Sequence, residues 1–418
     1  MDTSRAMDDT AQRSASPTRN SNTMHAPLSG VKVLDLSAVL SGPLSTAMLS
    51  DQGADVIKIE SPGGDTTRRV GPAKGDMSAM YIATNRGKRA IAVDLKRPEG
   101  RAIALDLARG ADVVVENLRP GAMDRLGLGY DDIRAVNPRI VYLSISGFGQ
   151  DGPYAGARVY DAVIQAASGI SASHRNQHTD EPTLLSTNVC DKLTALTAAQ
   201  AICAALFARE RTGQGQHVRL SMIDAAIAFQ WPDAMYNHVF LDDPPAMAPR
   251  FGATQRPWKT RDGYLATNTP QQDEFVALCT GMGRPDLADD PRFANGLARM
   301  RNGAALRAEL EPAAAGFDTD TLLARLREAG APVGRVCDHD EVLADPQVQH
   351  NGTVFEVDHG DLGRVRLPRG AARFGASAPT APRPAARLGE HTRAVLRELG
   401  YDDARISALL AGGVVLGQ

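Results

Sequence analysis

Three carboxylates stand where a chain could use them. Asp35 and Asp161 lie near the ends of short extended runs, and Asp191 stands at the mouth of an apolar helix. Asp191 follows Asn188-Val189-Cys190 and leads into a stretch with Leu193, Leu196, Ala199, Ile202, Cys203 and Leu206 on one face. A carboxylate in a first helical turn is stabilised by unpaired N–H groups and the helix dipole. Read locally, Asp191 is an ordinary capping aspartate; any further role depends on its surroundings. His174 and His178 fall in a polar stretch and read as solvated loop residues. Cys190, Cys203, Cys279 and Cys337 are too scattered for a disulfide framework or a Cys-x-x-Cys metal site. They read as small apolar residues in a reducing cytosol, and no metal is expected.

The chain has 418 residues, 43% of them hydrophobic, which is enough to bury a sizeable core. Its 46 basic and 49 acidic residues nearly balance, which argues against a nucleic-acid or membrane-surface partner. The apolar stretch from Ala195 to Ala208 is shorter than the ~20 residues of a bilayer span, and Gln200 interrupts it. Residues 1–26 are polar and lack the apolar core of a secretory signal, so they read as a disordered tail. The expectation is a soluble, cytoplasmic protein.

Strands are expected at 31–36, 55–60, 90–95, 112–116, 140–145 and 216–220, with helical stretches between them at 42–49, 98–109 and 191–211. Alternation of this kind implies a parallel sheet covered on both faces, an α/β Rossmann-like domain. The turn after the first strand, Ser37-Ala38-Val39-Leu40-Ser41-Gly42-Pro43, is neither G-x-G-x-x-G nor a P-loop. No nicotinamide or flavin is therefore expected. The proline-rich stretch 244–257 reads as a linker, followed by a short β segment at 263–267, helical stretches to about 330, an Ala- and Pro-rich shift at 378–387 and a final helix at 391–399.

The chain resembles the family III CoA-transferases, the group of formyl-CoA transferase, carnitine CoA-transferase and α-methylacyl-CoA racemase. The resemblance rests on Leu28-Ser29-Gly30-Val31-Lys32-Val33-Leu34-Asp35-Leu36, Gly53-Ala54-Asp55-Val56-Ile57-Lys58-Ile59-Glu60 and Lys88-Arg89. It continues through Ala111–Asn117, Pro120–Gly127, Ser146-Gly147-Phe148-Gly149, Leu287–Phe293 and Leu388-Gly389-Glu390-His391-Thr392. It implies a large Rossmann-like domain built from both chain ends (27–243 and 345–418) and a small middle domain (258–344). It also implies an interlocked homodimer acting on acyl-CoA and a small carboxylic acid.

Carried over residue by residue, the resemblance makes Asp191 the nucleophile that bears the acyl and CoA intermediates. It places Val39, Leu40, Lys96, Asn117, Leu118, Arg119, Arg125 and Arg158 around coenzyme A. Tyr160 stands where the racemases have a histidine, and a phenol is a poor base for an α-proton at neutral pH. Transfer is thus expected over racemisation or non-catalytic CoA binding. Ser61 and Leu40 replace an arginine and a glutamine of the formyl-CoA transferase pattern, and that enzyme's glycine-rich loop has no counterpart here. For the second acid, Arg175, Arg250, Arg256 and Lys259 are the available cations, and they favour a short dicarboxylate.

Overall fold

The computed structural model describes residues 26–176, 179–252, 255–377 and 381–417. His178 and, except for Ala26, the tail expected at 1–26 lie outside these residues.

Six parallel strands form the central sheet: β1 (Lys32–Asp35), β2 (Asp55–Glu60), β3 (Arg89–Val93), β4 (Val113–Glu116), β5 (Val141–Ser146) and β6 (Gln216–Ser221). The register sets Val33 opposite both Val56 and Val113. Every residue of β4 and β5 is buried. That is why these strands read as continuous apolar runs and not as alternating ones.

Helices cover both faces. On one lie α1 (Ser41–Asp51), α4 (Asp161–Ser168), α5 (Val189–Thr212) and α6 (Met222–Gln230), which bury Leu49, Ile164, Ile202 and Ala226 against Val113, Val115 and Leu143. On the other, α2 (Pro98–Arg109) and α3 (Tyr130–Val136) bury Ile103, Leu107 and Ile133.

The middle of the chain has its own core of Trp258, Leu265, Phe275, Phe293, Leu310, Leu322 and Leu326. It is built on the antiparallel strands β7 (Trp258–Lys259), β8 (Tyr264–Thr267) and β9 (Val333–Arg335) with α7 (Gln272–Gly281), α8 (Gly303–Ala315) and α9 (Thr319–Ala329). A hairpin, β10 (Val354–Asp358) and β11 (Arg364–Pro368), then packs Leu367 with Leu362 on Met77 and Tyr81 of the first region. Finally α10 (Thr392–Glu398) and α11 (Asp403–Ala411) join the second face, and β12 (Val415–Leu416) runs antiparallel to β3. The sheet order is β12-β3-β2-β1-β4-β5-β6.

One expectation changes. The helix at 189–212 is longer than its apolar stretch suggested, and by length and composition it could cross a membrane. Here Leu193, Ala198, Ile202 and Leu206 are core residues instead, and buried Arg209 pairs with Asp112 at 3.0 Å.

Candidate active site

The loop between β1 and α1 is fixed by side chains from beneath. Lys58 Nζ donates to the Ser37 carbonyl at 2.8 Å and pairs with Asp65 at 3.1 Å. Lys88 Nζ reaches Asp35 at 2.8 Å and the Pro43 carbonyl at 2.7 Å. The Asn117 amide accepts the Ala38 N–H at 2.8 Å and donates to the Ala38 carbonyl at 2.7 Å. Asp65 accepts the Val39 N–H at 3.2 Å.

These charges are buried, and each is paired. Burial alone would raise the Asp35 carboxyl, but Lys88 and Lys58 hold it well below the usual carboxylate range. Burial pushes Lys88 down to about 8 against the pull of Asp35. Such a network is costly to desolvate, and what it provides is a single loop conformation. Part of that conformation is strained: Val39, a β-branched residue, has φ of 69°. Gly42 is required next to it, because a Cβ there would sit 2.3 Å from Ser37 Cβ.

The loop delivers Ser41, the first residue of α1, to Asp191. The Ser41 hydroxyl and N–H both act on the Asp191 carboxylate and favour its charged form. Asp191 is itself in the first turn of α5, so two helix N-termini meet at one carboxylate. Its own N–H donates to Asp161 Oδ2 at 2.9 Å, and Gln165 Nε2 holds the other Asp161 oxygen at 2.6 Å. Burial first, then the charge of Asp161, push the Asp191 carboxyl up to about 6, while the two Ser41 bonds oppose them. The result is an ionisable, unusually basic carboxylate at the edge of a rigid loop.

The structure thus brings Val39, Leu40, Asn117 and Asp191 into one linked unit. Val39 is half-buried and Leu40 buried. Leu118 is half-buried next to them, its N–H bonded to Glu116. The expected cations are not part of that unit. Arg119, Arg125 and Arg158 are exposed on the segments after β4 and before α4. Lys96 is exposed in the turn after β3, two strands from β1. All four remain open to solvent on the side where the parallel strands end, as a ligand-binding edge requires.

Sequence reasoning missed Ser41 as the partner of Asp191 and Asp161 as its backbone cap. The only local signal was the Ser41-Gly42-Pro43 helix start. Among the described residues, no group of three His, Cys, Asp or Glu side chains could hold a metal ion. All four cysteines are free.

Comparison with known proteins places the chain in a family. The family profile described as CoA-transferase family III matches residues 28–392. Human succinyl-CoA:glutarate CoA-transferase is 36% identical over 398 residues, covering 93% of this chain and 90% of that protein. Acetyl-CoA:oxalate CoA-transferase of Acetobacter aceti is 36% identical over 388 residues, covering 91% and 97%. The crystal structure of a CAIB/BAIF family protein from Brucella suis superposes with a TM-score of 0.78 at 36% identity, over 90% of this chain and all of that one. The central parallel sheet and the match along nearly the whole chain agree: the protein belongs to the family III CoA-transferases and is an enzyme of that kind.

Proposed function

We propose that the enzyme moves coenzyme A from an acyl-CoA thioester to a free carboxylic acid, with Asp191 as the covalent carrier. The observation that carries this reading is the Asp191 carboxylate itself, raised to about 6 and held by Ser41 beside the loop 37–40. At pH 7 it is mostly ionised, yet more basic than a solvated aspartate, which suits a nucleophile.

The ionised carboxylate attacks the thioester carbonyl, and the tetrahedral intermediate collapses to a mixed anhydride and CoA thiolate. The thiolate then attacks the aspartyl carbonyl, which releases the first acid and leaves an aspartyl-CoA thioester. An acceptor carboxylate attacks that thioester, and the steps run in reverse to the new acyl-CoA. One activated bond is exchanged for another, so no nucleoside triphosphate enters. Val39, Leu40, Asn117 and Leu118 would flank the pantetheine arm, while Lys96, Arg119, Arg125 and Arg158 would supply cations to the phosphates.

Racemisation is the poorer reading. Tyr160 replaces the required base and is 74% exposed, and Asp161 is committed to the Asp191 N–H. For the acids exchanged, we favour a short dicarboxylate. Arg175 and Arg250 meet at Asp180, at 3.0 and 3.7 Å. That grouping brings two guanidinium groups to one exposed carboxylate, and one of them, Arg175, lies on the segment leading to Asp191. Both curated relatives above are named for dicarboxylate acceptors.

We also infer a homodimer with a large Rossmann-like domain from both chain ends and a small middle domain. In support, large apolar side chains of one described segment face solvent in the single chain. Phe229, Trp231, Phe240, Leu241 and Met247 are exposed along one continuous stretch.

The test is mass spectrometry of the intact protein during turnover with acyl-CoA and acid panels. Exchange of thioesters and a hydroxylamine-trapped adduct on Asp191 are expected. Exchange without any adduct on Asp191 would overturn the covalent assignment.

A further inference from the structure

Glu116 ends β4 immediately before Asn117–Arg119, and it is only 6% exposed. Its Oε2 accepts the Leu118 N–H at 2.9 Å. On the neighbouring strand β5, Ser144 lies in register with Glu116, and its hydroxyl favours the charged form of that carboxylate. Ser144 Oγ is in turn 2.9 Å from Nε2 of His217 on β6. Three adjacent strands thus carry one line of polar groups, Glu116, Ser144 and His217, from the Leu118 backbone to an imidazole.

The line has a polarity set by Glu116. Serine has a single proton to donate. While Glu116 is ionised, Ser144 donates to it and His217 donates from Nε2 to Ser144. When Glu116 is protonated it can donate to Ser144, and Ser144 then donates to an unprotonated Nε2. His217 stacks on Tyr130 at 4.7 Å and lines a cavity of about 790 Å³ together with Glu116, Arg119, Ser144 and Arg219. Protons can therefore reach the line from solvent.

The groups facing it are of both signs. Asp124 and Tyr142 face Glu116, while Arg219, Asp131 and Asp124 face His217, and Arg119 lines the same cavity. Burial, with a smaller contribution from Asp124, lifts Glu116 to about 7 against the bonds from Ser144 and Leu118. Burial and Arg219 together keep the His217 imidazole below its ordinary value.

We propose that Glu116 is a positioning residue for the coenzyme loop Asn117–Arg119, and that the Glu116–Ser144–His217 line couples coenzyme affinity to protonation of that carboxylate. This rests on the functional reading above, in which the loop meets coenzyme A. An ionised acceptor holds the Leu118 N–H more strongly than a neutral one, so the loop is best ordered when Glu116 is charged.

Calorimetric titration of the full-length protein with CoA between pH 6 and pH 8.5 tests it. The Kd of the wild type should rise about fivefold from pH 8 to pH 6 beyond the baseline set by Glu116→Gln. That variant keeps an acceptor for Leu118 but cannot ionise, and its curve contains the coenzyme phosphate's own titration. Ser144→Ala removes a bond to the charged form, so the midpoint should move to higher pH. Identical pH curves for wild type and Glu116→Gln would overturn the proposal while leaving the functional reading intact. If Glu116→Gln does not fold, an unmoved midpoint in Ser144→Ala overturns it instead. Absence of CoA binding by the wild type at every pH would overturn the functional reading, and this inference with it.

Discussion

Asp161 Oδ2 accepts the backbone N–H of Asp191 at 2.9 Å, so one carboxylate positions the other through the main chain while its charge opposes the other's ionisation. The arrangement does two things at once. It satisfies an N–H at the start of α5 that would otherwise lack a partner. It also raises the Asp191 carboxyl above the usual carboxylate range.

The first prediction concerns what that basicity costs the fold. The folded carboxyl at about 6 lies above the ordinary aspartate value of 3.8. Between those values the folded state binds more protons than the unfolded chain, so ionisation removes stability as pH rises through the window. Asp191→Asn should therefore be more stable than the wild type above pH 6, by about 1–2 kcal/mol after allowance for partial exposure. The gain should vanish below pH 4. The same variant should lose at least a thousandfold in exchange while its CoA Kd stays within about twofold. Urea unfolding at pH 7.5 and pH 4, with thioester exchange assayed alongside, measures both; equal stability at pH 7.5 contradicts the burial argument.

A second prediction follows from the same pair. Only the ionised Asp191 can attack, so kcat/KM should fall tenfold per pH unit below about 6. Asp161→Asn keeps an oxygen acceptor for the Asp191 N–H but removes the neighbouring charge, and the acid limb should move to lower pH. Asp161→Ala should instead lose the cap, at about 1 kcal/mol of stability. An acid limb that stays in place in Asp161→Asn would show that burial alone raises Asp191.

A third prediction tests the loop platform. Asn117→Ala leaves the Ala38 N–H and carbonyl without partners and should cost about 1–3 kcal/mol. Because Ala38 sits three residues before Ser41, exchange should fall about tenfold as Ser41 loosens around Asp191. Val39→Gly should do the reverse for stability: relief of a φ of 69° should exceed the entropy cost of glycine. Thermal melts of the two variants should move in opposite directions, and parallel shifts would contradict the assigned strain.

Why some of this was legible in the sequence, and some was not, has a physical basis. Val113-Val114-Val115 and Val141-Tyr142-Leu143 read as strands because burial on both faces demands apolar residues at every position. The helix start at Gly42-Pro43 was legible from local backbone preference alone. Ser41 and Asp161 were not legible as partners of Asp191, since each pairing forms only when α1, α4 and α5 share one sheet face. The burial of Lys58 and Lys88 under the loop was not legible either, because it depends on compensating carboxylates at Asp35 and Asp65. The two-residue strand β12 carries no periodicity to detect.

The last prediction concerns the second acid. An incoming carboxylate must approach Asp191 and Asp161, two groups of its own sign, without being repelled. A dicarboxylate adds another negative charge, so it binds only where a cation meets its distal end. Arg175 and Arg250 are candidates because they converge on Asp180, which is 74% exposed and can yield them to a ligand. Arg256 and Lys259 lie on the same stretch as Arg250. Exchange of the pair from Asp180 to substrate replaces one exposed ion pair by another, a change of about 1 kcal/mol or less. Arg175→Ala and Arg250→Ala should each raise KM for a four- or five-carbon dicarboxylate about tenfold, with little change for a monocarboxylate of equal length. Competition assays with succinate, glutarate and butyrate against one acyl-CoA donor decide it. A higher kcat/KM for butyrate than for both dicarboxylates would remove the distal clamp from the mechanism.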